Sequence, residues 1–279
     1  MSSRLAGKVE VVTGGTGVLM RAMVEEMSRN GVAVAILNRT AQSGQEFAGT
    51  IRAAGGQAIA IAVDVLNRSQ LVAARETIMQ RWGRCDILIN GAGGNRLDAI
   101  TSESVFSPPS KNQEGHRSFF DLSLEGFQTV LNVNFMGAVI ASQVFGERLA
   151  VAPHGVVINI SSMSAIRPMT KVPAYSAGKA ALENFTRWLA VYLAGVGVRV
   201  NAIAPGFFLT EQNRRLLTHE DGSWTERTQD ILKHTPAKRL GTPEDLLGTL
   251  IWLLDEKASG FVTGITVPVD GGFLAYAGV

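Results

Sequence analysis

The sequence predicts an α/β protein with a doubly wound, mostly parallel sheet and helices on both faces. Short β-rich runs alternate with longer amphipathic runs along the 279 residues, an order typical of successive β-α-β units. The β-rich runs are continuously apolar, which indicates strands that are buried on both faces. No Pro/Ser-rich linker divides the chain, so we expect residues 1–279 to form a single domain.

Seven β-rich runs define the predicted strands. In order they are VEVV (9–12), VAVAIL (32–37), AIAIAV (58–63), DILIN (86–90), GVVINI (155–160), VRVNAIA (198–204) and GITVPVD (264–270). The amphipathic runs predict helices over 20–30, 41–54, 69–82, 124–150, 174–194 and 243–254. Right-handed crossovers between parallel strands place such helices on both sides of the sheet.

Two long polar stretches, 94–123 and 206–240, interrupt this alternation. Loops of this length in a compact domain are typical of lids or binding loops. Both begin at the carboxyl end of a predicted strand, where doubly wound sheets bind their ligands. We therefore predict that these two stretches are substrate loops.

Composition excludes several classes of function. Apolar residues make up 46% of the chain and charged residues 18%, which favours a large core over disorder. The net charge is +2 without a basic stripe, so neither nucleic acid nor an anionic membrane is expected as the main partner. The chain begins without the apolar core of a signal peptide, and no run approaches a membrane span in length, so we expect a cytoplasmic protein.

Metal and disulfide chemistry is also not expected. Cys85 is the only cysteine, which rules out an internal disulfide and a cysteine metal cluster. The four histidines are dispersed, at positions 116, 154, 219 and 234, and no ligand spacing indicates a catalytic metal.

The stretch VVTGGTGVLM (11–20) is a strand, a glycine-rich turn and the start of a helix. Such a turn directs backbone N–H groups at an anion, helped by the helix dipole. No Gly-Lys-Ser/Thr follows, which excludes a nucleotide P-loop. By itself, the motif is equally compatible with a Rossmann dinucleotide site and with a tight turn that binds nothing. The predicted phosphate contacts are Gly14, Gly15, Thr16, Gly17, Val18 and Leu19.

Asn38 and Arg39 follow about twenty residues later, where a Rossmann site places its ribose-reading residue. An aspartate there would repel a 2′-phosphate, whereas Asn38 removes that repulsion and Arg39 supplies an attractive charge. These two residues favour NADP over NAD, with a solvated Arg39 as the alternative.

Two residues of this first unit depart from the expected pattern. Met20 occupies the last position of G-x-G-x-x-G, where glycine allows the helix and the strand to approach closely. Glu10 falls in a strand that is expected to be buried, where a carboxylate needs a partner or a raised pKa. We expect weaker but not abolished dinucleotide binding, because backbone donors supply most of the phosphate contacts, and we expect Met20→Gly to tighten it.

The most specific constellation combines Ser162 with Tyr175 and Lys179. Tyr175 and Lys179 are four residues apart in a predicted helix, so they share a face. A neighbouring ammonium favours the phenolate, so we predict a lowered pKa for Tyr175, which suits a tyrosine acid or base in hydroxyl–carbonyl interconversion. Ser162 closes the strand VVINIS and can donate to a carbonyl oxygen as charge develops. A bare Tyr-x-x-x-Lys is usually an ordinary helix, but Ser162 and the glycine turn favour the catalytic interpretation.

Over its whole length the chain resembles the short-chain dehydrogenase/reductase family. The motifs that carry the resemblance are TGGTG (13–17), VDV (63–65), NGAG (90–93), NVN (132–134), INISS (158–162), YSAGK (175–179), RVNAIAPG (199–206) and VDGGF (269–273). The resemblance implies a catalytic tetrad of Asn134, Ser162, Tyr175 and Lys179, in which Asn134 supports a proton-relay water and Lys179 also grips the nicotinamide ribose. It further implies cofactor contacts at Asp64, Val65, Asn90, Gly91, Ala92, Tyr175, Lys179, Pro205, Gly206 and Thr210.

Within the family, the chain resembles the mannonate/fructuronate oxidoreductases. The features concerned are NGAGGN with the long insert after it, the stretch from Ala204 to Pro236, and the end VPVDGGFLAYAGV. A sugar acid fits the polar and basic residues of the two long loops. These residues are Arg96, Lys111, His116, Arg117, Asn213, Arg214 and Arg215. Predicted substrate contacts are Ser162, Tyr175, Arg96 and Asn213.

The sequence also allows other substrates and a function without catalysis. The same tetrad would serve another polyol, a gluconate or a 3-oxoacyl substrate, and a non-catalytic dinucleotide-binding scaffold is a further reading. The helix around Phe185, Trp188 and Tyr192 is apolar nearly all round, so it is either deeply buried or packed on another subunit. The family resemblance implies a homotetramer.

Overall fold

A computed structural model describes residues 4–108, 115–209 and 214–278, with the side chains of Arg215 and Leu216 left out. Its sheet has seven parallel strands in the order β3-β2-β1-β4-β5-β6-β7. They are β1 (Val9–Thr13), β2 (Ala33–Asn38), β3 (Ala58–Ala62), β4 (Ile87–Asn90), β5 (Val156–Ile160), β6 (Arg199–Pro205) and β7 (Thr266–Val269). The predicted fold class is confirmed, and the chain reverses its winding direction between β1 and β4, where this fold opens a crevice.

Helices cover both faces of the sheet. They are α1 (Val18–Arg29), α2 (Ala41–Ala53), α3 (Arg68–Trp82), α4 (Leu124–Leu131), α5 (Gly137–Val151), α6 (Pro173–Leu193), α7 (Arg214–Leu217), α8 (Glu226–His234), α9 (Leu247–Leu254) and α10 (Glu256–Ser259). One core layer packs α1, α2 and α9 against the sheet. The other packs α3, α5 and α6 against the opposite face. The continuous apolar strands follow from this arrangement, since each strand faces a core on both sides.

The long helical run from α4 to α5 corrects one expectation. A π-helical turn (Asn132–Met136) joins α4 to α5, and the combined segment Leu124–Val151 has 28 residues and is long and apolar enough to cross a membrane. The prediction that no run approaches this length is therefore wrong. Its apolar side chains pack on the sheet, where Ala141, Val144 and Phe145 belong to the second core layer.

Glu10 lies in the centre of β1 and is fully buried. Its neighbours in register, Val34 and Ile87, belong to the core layer beneath α1. Both carboxyl oxygens lack a hydrogen-bond partner among the described residues. Burial raises the pKa of Glu10 to about 8. Of the two expected alternatives, a partner or a raised pKa, the structure therefore shows the raised pKa.

The loop after β6 contains helices that the periodicity did not predict. Besides the short α7, the described part holds α8, which begins at the N-cap Thr225 and ends at His234. Ile231 of α8 packs with Leu217 and Leu240 in a small separate cluster. The loop after β6 therefore has its own apolar contacts.

Candidate active site

A cleft of about 390 Å³ opens at the carboxyl ends of the strands, between β1 and β6. Twelve of the predicted residues line it: Gly14, Gly17, Val18, Leu19, Gly91, Ala92, Asn134, Ser162, Tyr175, Lys179, Pro205 and Gly206. The glycine turn and the Ser–Tyr–Lys constellation were predicted from separate parts of the sequence. Because both line the same cleft, a dinucleotide bound at the glycine turn would lie beside the residues that can transfer a proton.

A second cavity, of about 420 Å³, lies at the opposite edge of the sheet, where β1, β4 and β5 begin. Two pairs of its charged groups contact each other, Arg4 with Asp255 at 2.8 Å and His154 with Glu256 at 2.7 Å. None of the predicted site residues lines it, so the candidate site is the cleft at the carboxyl ends.

The glycine turn has the geometry of an anion cradle. Gly14 has a φ of +67°, and a Cβ there would lie 2.8 Å from the Ala92 Cα, so only glycine fits. Helix α1 begins after Gly17 without a side-chain cap from the described residues and without an acidic residue in its first turn. Its first N–H groups and dipole are thus available to a phosphate. This turn therefore fits the pyrophosphate of a dinucleotide.

Met20 is accommodated by a gap at Gly91. The Met20 side chain is buried and lines the cleft, and a Cβ on Gly91 would lie 2.5 Å from its Sδ. The thioether therefore occupies the space that a side chain at position 91 would take. Met20 can therefore be accommodated at position 20 because Gly91, in the NGAG motif, has no side chain.

Helix α6 and the end of β5 assemble the reactive side chains. Pro173 at the first turn starts α6, and Tyr175 and Lys179 follow on one face. The Ser162 hydroxyl lies near the Tyr175 phenol and favours its ionised form. The Lys179 ammonium donates to the Ile160 carbonyl at 2.7 Å and lies 5.6 Å from the centre of the Tyr175 ring. These three side chains can bind, orient and protonate a carbonyl oxygen.

The predicted direction of the Tyr175 pKa is wrong. Burial raises the pKa of the Tyr175 phenol, and the Ser162 hydroxyl only opposes that rise. Burial also lowers the pKa of Lys179 to about 8. Removal of both groups from water thus outweighs their mutual charge effect, because the lysine bonds to a backbone carbonyl instead of the phenol.

Asn134 lies in the π-helical turn between α4 and α5 and is buried. Its amide donates to the Gly94 carbonyl at 2.7 Å and to the Val130 carbonyl at 2.8 Å, while its oxygen accepts from the Gly94 N–H. A Cβ on Gly93 would lie 2.5 Å from the Asn134 oxygen and 3.2 Å from the Lys179 ammonium. Gly93 and Gly94 line the cleft but were not predicted. Gly93 is needed for this close approach, and the glycine pair of NGAGGN was the signal for both.

Several predicted cofactor residues lie outside the lining of the cleft: Gly15, Thr16, Asn38, Arg39, Asp64, Val65 and Asn90. Asn90 turns its amide inward, toward Asn159 at 2.8 Å and Ser142 at 3.2 Å. The Asn90 side chain therefore stabilises the sheet, because its two donors are used there. Val65 is buried against Gly137, and Asp64 is exposed and accepts from the Leu66 N–H.

At the end of β2, the Asn38 amide donates to the Thr40 carbonyl and to the Ser43 hydroxyl. Its side chain is buried beside Gly44, whereas Arg39 is exposed. Only Arg39 of the predicted pair therefore presents its side chain at the surface.

Arg96 differs from its predicted role as a substrate ligand. Its guanidinium forms a fork with Asp98, with distances of 3.0 and 2.8 Å, and also reaches Glu125 and Thr129. It does not line the cleft. Arg117 likewise donates to the carbonyls of Leu97 and Ile100. The predictions at Thr210, Asn213 and Lys111 lie outside the described residues.

A glycine-rich turn at the switch point, beside a serine–tyrosine–lysine set, defines the class: an oxidoreductase that uses a nicotinamide dinucleotide. Comparison with known proteins gives the family. A family model described as enoyl-(acyl carrier protein) reductase matches residues 19–274, and the chain belongs to the short-chain dehydrogenase/reductase family.

Three relatives show the range of this similarity. An uncharacterised oxidoreductase, UxuB, of Bacillus subtilis is 58% identical, over 100% of this chain and 99% of its own length. A Haemophilus influenzae structure with bound NAD, provisionally described as a D-mannonate oxidoreductase, is 42% identical with a TM-score of 0.95, over 99% of this chain and 98% of that one. A Beutenbergia cavernae structure with bound NADP at low occupancy, provisionally described as an NAD(P)-dependent gluconate 5-dehydrogenase, is 33% identical with a TM-score of 0.81, over 97% and 98%.

Proposed function

We propose that this oxidoreductase interconverts a hydroxyl and a carbonyl on a sugar acid of the mannonate/fructuronate type. The observation that carries the proposal is the convergence of Ser162, Tyr175, Lys179 and Asn134 beside the glycine turn in one cleft. The similarity over nearly the full length to the Haemophilus influenzae structure supports the substrate class.

The chain's own residues supply binding and proton transfer. The turn from Gly14 to Leu19 would hold the pyrophosphate with backbone N–H groups, and Lys179 would hold the nicotinamide ribose. The bound nicotinamide supplies the hydride. Ser162 donates to the substrate oxygen, and the Tyr175 phenol, which its raised pKa keeps protonated near neutral pH, gives its proton to that oxygen during reduction.

The proposed cofactor is NADP or NAD, with NADP favoured. The exposed Arg39 is the group that would attract a 2′-phosphate, and the relatives include structures with either cofactor. We expect Arg39→Ala to weaken NADPH binding several-fold while the Kd for NADH stays within about twofold. Titration of the nucleotide fluorescence measures both constants, and an unchanged ratio of the two would contradict the NADP preference.

A substrate panel tests the proposed reaction. D-mannonate, D-fructuronate, D-tagaturonate and gluconate, each with NAD(H) and NADP(H), are followed by the absorbance of the reduced nicotinamide. We expect the highest kcat/KM with fructuronate or mannonate. A higher value with gluconate would favour the alternative substrate, for which the Beutenbergia cavernae relative is the argument. Catalysis that survives Tyr175→Phe would contradict the assigned chemistry.

We also propose that the protein acts as a homotetramer in the cytoplasm. On α6, Trp188 stacks on Tyr192 with ring centroids 5.0 Å apart and on Phe185 at 6.2 Å, while Trp188 is 56% and Tyr192 70% exposed. Large exposed aromatic groups of this kind favour a subunit contact. Sedimentation equilibrium should give four times the 29.8 kDa chain mass, and a mass of one chain would contradict the tetramer.

A further inference from the structure

We propose that Glu183 is a positioning residue for the serine of the active site. Through its hydrogen bond to Ser161, it fixes the chain just before Ser162 and so holds the Ser162 hydroxyl against Tyr175. The inference rests on the proposed function, because it assigns Glu183 a role in the same proton transfer.

The geometry is a ladder between α6 and the end of β5. Tyr175, Lys179 and Glu183 are spaced by four residues and share one face of the helix. They face three consecutive residues. The Tyr175 phenol lies near the Ser162 hydroxyl, the Lys179 ammonium donates to the Ile160 carbonyl at 2.7 Å, and the Glu183 carboxylate accepts from the Ser161 hydroxyl at 2.9 Å.

The middle of this ladder has no regular strand to hold it. Strand β5 ends at Ile160, so Ser161 and Ser162 lie beyond it. The Ser161 N–H still donates to the Ile203 carbonyl at 2.8 Å, and its hydroxyl is fixed by Glu183. Ser162, next in the chain, has an extended backbone with φ −163° and no strand partner in the described register. Its hydroxyl accepts from the Ser164 N–H at 3.2 Å as the N-cap of the short helical turn Met163–Ala165. The position of Ser162 therefore depends on this cap and on the fixed residue before it.

A purely packing role does not explain Glu183. The side chain is only 4% exposed, and burial of a carboxylate costs free energy that a leucine of similar size would not cost. Arg187 contacts the other carboxyl oxygen at 3.5 Å, but that arginine side chain is 59% exposed, so its contribution is small. The buried bond to Ser161 is the contact that uses the carboxylate.

The role has a measurable consequence for Tyr175. The Ser162 hydroxyl favours the phenolate and opposes the rise of the Tyr175 pKa. Loss of the Ser161–Glu183 bond should let Ser162 drift from the phenol, so the Tyr175 pKa should rise further. A residue that only packed would leave this pKa unchanged.

The test begins with the free protein and needs no substrate. The chain has three tyrosines, so the difference in tyrosinate absorbance between each variant and the same variant carrying Tyr175→Phe isolates the Tyr175 titration. We expect Ser161→Ala and Glu183→Leu to move this titration to higher pH. Glu183→Gln, whose amide oxygen can accept the same bond, should restore it to the wild-type position.

Kinetics with the best substrate of the panel give the second readout. We expect Ser161→Ala and Glu183→Leu each to lower kcat about tenfold with the KM for the nicotinamide within about twofold, and the double variant to lose about tenfold, not a hundredfold, because both changes remove one bond. The pH profile of kcat/KM should shift in the direction of the Tyr175 titration.

Two matched controls accompany these variants. Ser176→Ala removes a buried hydroxyl of the same helix that has no hydrogen-bond partner in the described part of the chain, and Arg187→Met removes the exposed ion pair. Both should keep the wild-type titration and kcat. Should Glu183→Leu fail to fold, Ser161→Ala carries the test, since it deletes one hydroxyl.

The possible failures are distinct. Wild-type titration and kcat in Ser161→Ala, or multiplicative losses in the double variant, would overturn the positioning role while Tyr175 stays essential. Full activity in Tyr175→Phe would overturn the proposed function. In that case an unshifted Tyr175 titration in Ser161→Ala would overturn the positioning role too, and a shifted one would support it.

Discussion

The β1–α1 unit and the β5–α6 unit form the two halves of the cleft, and they use different atoms to do so. The first presents backbone N–H groups of the glycine turn and helix start. The second presents the side chains of Ser162, Tyr175 and Lys179, of which Ser162 and Lys179 are held by hydrogen bonds. The two departures from the expected pattern, Glu10 and Met20, both fall in the first unit.

This difference shows where a sequence tolerates unusual residues. Backbone donors keep their positions when a neighbouring side chain changes, provided that the turn keeps its shape. A thioether at position 20 therefore needs only a gap at Gly91. Side-chain chemistry tolerates much less, because a displacement of about 1 Å at a reacting group costs rate steeply. The β5–α6 unit accordingly holds several buried polar side chains in hydrogen bonds, as in the chain from Asn90 through Asn159 to Thr186.

The largest effect is expected in the side-chain half. Tyr175→Phe removes the proton donor, so we expect kcat to fall about a thousandfold, or ~4 kcal/mol of transition-state stabilisation. Steady-state kinetics measures this loss. Tyr192→Phe, on the exposed surface of the same helix, is the matched control and should keep kcat. A loss below about tenfold would contradict the view that this half acts through side-chain atoms.

Glu10 gives the next effect, now on stability. Its folded pKa of about 8 lies above the value near 4.5 of an unfolded chain, so the folded state binds the extra proton. The favourable contribution of this proton is complete below about pH 4.5 and is lost as pH rises through 8. We therefore expect Glu10→Leu to raise the free energy of unfolding by roughly 3 kcal/mol at pH 7 and by much less at pH 4.5.

Denaturant unfolding at several pH values measures this contribution, and Glu10→Gln serves as the control. The glutamine variant retains a buried polar group but cannot titrate, so its stability should lose the pH dependence without the full gain of leucine. Destabilisation by Glu10→Leu at pH 7 would mean that the carboxyl group has a stabilising partner.

In the β5–α6 unit, removal of a buried hydrogen bond should lower stability, whereas removal of the Glu10 carboxylate should raise it. Thr186 accepts from the Asn159 amide at 2.8 Å and donates to the Leu182 carbonyl at 2.8 Å, in a fully buried position. Thr186→Val keeps the shape but leaves the amide without an acceptor, so we expect a loss of about 1–3 kcal/mol. Thr77→Val, which removes the same type of helix bond at an exposed position of α3, should change stability by less than about 0.5 kcal/mol.

Much of this arrangement could be predicted from the sequence because it is local. Apolar runs located all seven strands to within a few residues, and Tyr175 and Lys179 share a face by helical spacing alone. What could not be predicted depends on three-dimensional neighbours. The pairing of Arg96 with Asp98, the inward turn of Asn38 and the sign of the Tyr175 pKa all follow from partners and burial. Helix α8 was missed because its apolar contacts are few and lie within its own small cluster.

The smallest expected effect concerns the packing of Met20 against Gly91. A Cβ at position 91 would lie 2.5 Å from the Met20 Sδ, and Gly91 has no positive φ that would forbid alanine. The buried thioether must therefore repack, and we expect Gly91→Ala to cost about 1 kcal/mol of stability and to weaken dinucleotide binding slightly.

A double-mutant cycle separates this contact from backbone effects. In the background of Met20→Ala, the new methyl group has space, so Gly91→Ala should cost nothing further, and the two changes should couple by about 1 kcal/mol. Gly146→Ala, where an added Cβ meets no atom within 4 Å, is the control and should not lower stability. Additive costs would show that Met20 and Gly91 are accommodated independently, and the first unit would then tolerate its thioether by a shift of α1 instead of a matched gap.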